Sequence, residues 1–152
     1  MATFKDYLEN NSLLILHGAL GTEMEALGYD ISGKLWSAKY LLEKSEVIQE
    51  LHETYVAAGA DLITTSSYQA TLPGLVEAGL TEKAAEQIIA LTVRLAKAAR
   101  DKVWGALDET EKAKRPYPLI SGDVGPYAAY LANGSEYSGD SVSYTHLTLP
   151  TT

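Results

Sequence analysis

The 152-residue sequence contains no cysteine, which removes disulfides, thiolate nucleophiles and Cys-ligated zinc from anything these residues do by themselves. Basic residues are also scarce. Twelve Lys and Arg stand against 20 Asp and Glu, for a formal charge of -8. A surface that tracks phosphate needs clustered cations, so the expectation is a small-molecule ligand, with no nucleic acid and no membrane as partner. No apolar run approaches the roughly 18 residues of a spanning helix. The opening MATFKDYLENN lacks both the basic and the apolar region of a signal peptide. Together these absences predict a cytoplasmic protein.

What is present is the composition of one globular domain, with 46% apolar and 21% charged side chains, enough to bury a core. Leu13 to Leu16 form a short apolar run that breaks at His17-Gly18. It predicts a buried strand, apolar on both faces as in a parallel sheet, ending in a glycine-bearing loop. After Ser45, a predicted N-cap, Val47, Ile48, Leu51, Tyr55 and Val56 recur at helical spacing until Gly59. Asp61 then opens a second strand, Leu62 to Tyr68, rich in β-branched residues and polar toward its end. Thr81 caps a long helix with Ala85, Ile88, Ile89, Thr92, Leu95, Ala96, Ala99 and Val103 as its inward stripe. A charged connection, 108–115, and Pro116-Tyr117-Pro118 lead to a third strand, Leu119 to Ser121, and the loop Gly122 to Pro126.

Strand, helix, strand, helix, strand, with strands apolar and then polar at their C-terminal ends, is the pattern of βαβ units. A doubly wound nucleotide fold requires G-x-G-x-x-G after its first strand, and His17-Gly18-Ala19-Leu20-Gly21-Thr22 lacks that spacing. The expected fold class is therefore α/β, as the N-terminal portion of a (β/α)8 (TIM) barrel. Such barrels run to about 250 residues, so roughly three of the eight units are present. The strands carry no lysine for Schiff-base chemistry and no His-x-His pair, which disfavours an aldolase or an amidohydrolase.

Separated motifs in order carry a resemblance. They are LILHGALGTEME from Leu14 to Glu25, Leu35-Trp36-Ser37-Ala38-Lys39, and Ala58-Gly59-Ala60-Asp61 leading to Ser67-Tyr68-Gln69-Ala70-Thr71. The last is Val124-Gly125-Pro126-Tyr127 with Leu131 to Tyr137. From residue 13 to residue 140 the chain resembles the homocysteine S-methyltransferases, above all the branch that uses S-methylmethionine. The resemblance implies a zinc-dependent (β/α)8 enzyme moving a methyl group from a sulfonium, S-methylmethionine or S-adenosylmethionine, to the thiol of homocysteine, giving methionine. Coordination to a cation makes the thiol a thiolate, the reactive nucleophile. In the family, cysteines on late strands hold the metal. With no cysteine here, the family's ligands are missing and these residues alone are expected to be inactive.

The resemblance also implies the substrate-binding residues. The family usually has an aspartate at the end of the first strand, meeting the substrate ammonium, where this chain has His17. A glycine-rich backbone follows to receive the carboxylate, matched by Gly18, Ala19, Leu20 and Gly21. Each position also has a plainer reading. His17 can be a polar strand end without a metal role, and Gly18 and Gly21 can be turn glycines. Glu23 either complements a helix dipole or faces the ammonium site. Tyr68 either walls the pocket, its hydroxyl placing the sulfur, or is a rim aromatic. Asp123 stands where the family has a small residue and is assigned no role. His52 falls on a helix face and His146 in the tail, so neither is a candidate ligand. No catalytic residue and no metal ligand is assigned.

Residues 142–151 are what a transposon-based sequencing adapter encodes when translated from its third base. The expectation is that 1–140 are the N-terminal part of a homocysteine-binding barrel domain and 141–152 a non-native, adapter-derived tail. The rival expectation is a non-catalytic half-barrel that binds a small molecule or self-associates through its open strand edges.

Overall fold

The computed structural model describes residues 4–10, 13–32, 35–125 and 131. The tail at 141–152 and, Leu131 apart, the motifs from Pro126 to Tyr137 lie outside the described residues. Along the chain run α1 (Phe4–Asn10), α2 (Leu20–Ala26), a 3-10 turn (Trp36–Lys39), α3 (Tyr40–Glu43), α4 (Ser45–Ala57), β1 (Leu62–Thr64), α5 (Leu72–Glu77), α6 (Glu82–Ala106), α7 (Glu109–Lys112) and β2 (Leu119–Ser121). None of these helices is long and apolar enough to cross a membrane.

β1 and β2 pair in parallel, with Leu62 opposite Leu119, Ile63 opposite Ile120 and Thr64 opposite Ser121. Leu16 bridges the other edge of β1 in parallel at Leu62. There the His17 N–H donates to the Leu62 carbonyl and the Leu62 N–H to the Ile15 carbonyl, each at 3.1 Å. Asp61 ties the three segments together. Its N–H donates to the Ile15 carbonyl at 2.8 Å, and its own carbonyl accepts from the Leu119 N–H at 2.8 Å. Its carboxylate accepts from the Ile15 N–H at 3.0 Å. The result is an α/β fold built on a small parallel sheet, as the alternation of elements predicts.

Two predicted strands come out differently. The run from Leu13 to Leu16, expected to be buried, makes a single bridge, and Leu13, Ile15 and Leu16 are 79%, 57% and 56% exposed. Among the described residues it has a neighbour along one edge and no layer over these side chains. The second strand, expected to reach Tyr68, stops at Thr64. The Thr65 and Ser67 hydroxyls bond each other at 2.7 Å and also bond the backbone of Asp123. Hydroxyl-to-backbone bonds of this kind compete with the sheet ladder and turn the chain away from it.

The long helices follow their periodicity. α4 buries Val47, Ile48, Leu51 and Val56. It stops two residues before Gly59, whose φ of +103° suits glycine and strains other residues. Ser45, expected as its N-cap, is its first residue, and Lys44 precedes it without a side-chain cap bond. Thr81 caps α6 by accepting the Ala84 N–H at 3.3 Å. Ala85, Thr92, Leu95, Ala96 and Ala99 of the predicted stripe are buried. α6 lies against α4, and Met24, Ile48, Leu51, Leu75 and Leu95 meet in one apolar core. A second cluster of Val56, Ala60, Ile63 and Ala96 joins both helices to β1.

Short helices escape a periodicity search because one or two turns show no stripe. α5 begins where Thr71 accepts the Gly74 N–H at 3.2 Å, with Pro73 in its first turn. α7 lies inside the segment read as a charged connection. A capping box starts it, the Asp108 carboxylate taking the Glu111 N–H while the Glu111 carboxylate takes that of Asp108.

Candidate functional site

Parallel strands present their C-terminal ends on one side of a sheet, and ligands of open and closed α/β folds bind there. Here His17 follows the bridged Leu16, Thr65 to Gln69 follow β1, and Asp123 follows β2. All three strand ends open into one cavity of about 470 Å³. Gly18 to Thr22, the loop before α2 together with its first residues, form a second wall, and Trp36 and Ser37 of the 3-10 turn face it. Trp36 holds a φ of +47°, an uncommon conformation for a bulky residue and one that marks a constrained site.

His17, Gly18, Ala19, Leu20, Gly21 and Tyr68, six of the seven residues singled out from sequence, line this cavity. Glu23 is not among the lining residues. It sits half-buried in the first turn of α2, and its charge acts on Tyr55, whose phenol pKa rises through burial and then through Glu23. The carboxylates that do line the cavity are Glu25 and Asp123.

His17 is held in place on several sides. Its Nε2 lies 2.5 Å from Thr64 Oγ1. Its ring meets the edges of Tyr55 and His52, at centroid distances of 5.2 and 6.1 Å. Burial lowers its pKa, against the opposing pull of the Asp123 carboxylate and the Gly18 backbone. The imidazole is thereby biased toward its neutral form. His52, behind it, is completely buried, and neither of its ring nitrogens has a hydrogen-bond partner among the described residues. Burial, and then the neighbouring His17, push its pKa down to about 4.

Four contributors were not legible as site residues. Tyr55 reads in sequence as one member of a helical stripe, yet its hydroxyl donates to the Ala19 carbonyl at 3.2 Å, so α4 supports the loop that forms the cavity wall. Thr65 bonds the Asp123 N–H at 2.9 Å, and Ser67 donates to the Asp123 carbonyl at 2.6 Å. These two bonds lock the loop after β2 onto the end of β1. Asp123 itself has its carboxyl pKa raised by burial, with His17 and the Val124 N–H acting in the opposite direction. No local signal in the sequence distinguishes Asp123 from a loop aspartate, because its surroundings come from Thr65 and Ser67, 58 and 56 positions away.

The cavity can accept a small polar molecule between a backbone-lined wall and a carboxylate. Among the described residues no three His, Cys, Asp or Glu side chains stand together in a way that could hold a metal ion.

Comparison with known proteins agrees with this geometry. Residues 14–149 match the family model described as "Homocysteine S-methyltransferase". The chain is 44% identical over 140 residues to the Homocysteine S-methyltransferase YbgG of Bacillus subtilis, covering 92% of this chain and 44% of that protein. It is 44% identical over 133 residues to the Homocysteine S-methyltransferase of Escherichia coli, covering 88% of this chain and 41% of the relative. The crystal structure of the homocysteine methyltransferase MmuM from Escherichia coli in its metallated form superimposes with a TM-score of 0.73 at 44% identity, over 88% of this chain and 45% of that one. The chain thus spans less than half the length of the relatives it matches. With its strand-end cavity and a match running through most of its length, the chain belongs to the homocysteine S-methyltransferase family.

Proposed function

We propose that the described residues form the homocysteine-receiving part of a cytoplasmic methyltransferase, as roughly the first three units of a (β/α)8 barrel. The complete enzyme would transfer a methyl group from S-methylmethionine or S-adenosylmethionine to homocysteine and release methionine. The observation that carries this reading is the single cavity where His17, the Gly18–Gly21 backbone and Tyr68 converge at the ends of parallel strands. Helix geometry leaves the first N–H groups of α2 without intrahelical acceptors, and the preceding Ala19 supplies no side-chain cap. Those N–H groups are suited to a carboxylate at the cavity wall. Tyr68 would wall the far side, near the sulfur.

The residues present do not fit a thiol-activating metal. The sequence has no cysteine, and no other donor cluster exists among the described residues. On this reading zinc is held by residues outside the chain, and the chain by itself transfers no methyl group. Residues 1–140 would be barrel and 141–152 the adapter-derived tail.

Titrating isotope-labelled chain with L-homocysteine tests the proposal, with shifts expected at the amides of Gly18 to Gly21 and at Tyr68. Saturating homocysteine without shifts at these positions would end it. Incubation with zinc, homocysteine and S-methylmethionine is expected to give no methionine, and turnover at the level of a full-length relative would refute the inactive reading. A second reading, a non-catalytic half-barrel that self-associates, draws on the exposure of Leu13, Ile15 and Leu16. A monomer in light scattering at high protein concentration would dismiss it.

A further inference from the structure

We propose that Asp123 receives the substrate's ammonium group in this protein, at the end of β2 rather than at the end of the first strand. The inference rests on the homocysteine reading above and adds the residue that supplies the missing negative charge. An amino acid bound in the cavity brings an ammonium that must be paired, because an unpaired charge in a partly dehydrated site is costly. His17 brings no negative charge to it. It is a neutral or cationic group, its Nε2 is engaged with Thr64 Oγ1, and protonation would repel the ligand.

Two carboxylates line the cavity. Glu25 is exposed on α2, where water screens its charge. Asp123 is half-buried, and no ion pair joins it to a cation among the described residues. Its backbone is held on both sides, by Thr65 at the N–H and by Ser67 at the carbonyl, so the carboxylate is presented by a fixed loop. Gly125, two residues on, lies against the backbone of Tyr68 and keeps this loop close to the cavity wall. A dehydrated, cation-free carboxylate in a cavity gains more from an incoming ammonium than a hydrated one does. The carboxylate also raises the pKa of His17, which places its charge within reach of the strand end.

The test compares L-homocysteine with 4-mercaptobutanoate, which has the same thiol and carboxylate and no ammonium, by calorimetric titration of the full chain and its variants. The wild-type chain is expected to prefer homocysteine. D123N is expected to weaken homocysteine about tenfold while leaving 4-mercaptobutanoate unchanged, and E25Q to weaken homocysteine by less than D123N does. A wild-type chain that binds homocysteine, with D123N unchanged or with both ligands weakened equally, would overturn this inference and leave the homocysteine reading standing. A wild-type chain that binds neither ligand would overturn both. Should D123N fail to fold, the wild-type chain still decides the matter. The carboxyl carbon of Asp123, followed by NMR against pH, is expected to titrate at lower pH with homocysteine and not with 4-mercaptobutanoate. An unshifted titration refutes the pairing.

Discussion

The tip of the Tyr55 ring lies directly beneath Gly18, so that a methyl group added to Gly18 would stand 2.9 Å from both Tyr55 Cε1 and its hydroxyl oxygen. The same hydroxyl donates to the Ala19 carbonyl, and the ring packs edge-on against His17. A residue of α4 therefore sets how closely the first loop approaches the sheet. Gly18→Ala is expected to cost about 1–3 kcal/mol, the range for overpacking a fitted site. In urea denaturation, Tyr55→Leu in the same chain should recover part of that loss. Strict additivity of the two substitutions would show that they do not share a contact.

Gly125 presents a harder case. Its added Cβ would collide with the Tyr68 carbonyl oxygen, a backbone atom that has no rotamer by which to withdraw. Gly125→Ala is expected to destabilise by about 2–3 kcal/mol or to push the loop after β2 off the end of β1. Amide shifts at Asp123 and Tyr68 would report the displacement. A variant with wild-type stability and unmoved shifts at both residues would contradict the close approach.

Asp61 tests the link between sheet and site. Its carboxylate takes the Ile15 N–H at 3.0 Å in a largely buried position. Asp61→Ala is expected to cost about 1–3 kcal/mol, the penalty for a donor left unpaired away from water. Hydrogen exchange at Ile15 and His17 should accelerate more than exchange in α6. Equal acceleration everywhere would mean that Asp61 stabilises the whole fold rather than the first segment.

Acid sensitivity should trace to His52. The unfolded imidazole titrates near 6.5 and the folded one at about 4, so between those values the unfolded chain binds more protons. Stability is therefore full above the unfolded pKa and falls as pH drops through that window, by up to about 3 kcal/mol. The lowered pKa of His17 acts in the same sense, whereas the raised pKa of Asp123 acts in the opposite one. His52→Leu, similar in volume and uncharged, should flatten the acid limb in urea midpoints measured from about pH 7.5 down to about pH 4.5. An unaltered limb would assign the effect elsewhere.

Much of the scaffold was legible from local pattern. The inward stripe of α6, its Thr81 cap, the stop of α4 near Gly59 and the strand from Leu119 to Ser121 each follow from periodicity or from a residue whose backbone preference is intrinsic. The family, too, was legible, because its motifs are contiguous runs of residues. What sequence pattern overestimated was strand length. Apolar, β-branched composition marks a segment able to extend, but hydrogen-bonding partners decide whether it does, and Thr65 and Ser67 found theirs in the loop around Asp123.

The site itself divides along the same line. His17, Gly18 to Gly21 and Tyr68 stand in recognisable stretches, and the sequence by itself determined that they belong together. Only the tertiary structure decided that Tyr55 supports the loop, that His52 is buried behind His17, that Glu25 rather than Glu23 lines the cavity, and that Asp123 faces it. The physical reason is range. Helical period, capping and glycine preference act over a few residues, whereas burial, dehydration and charge coupling arise from groups that packing brings together from distant parts of the chain.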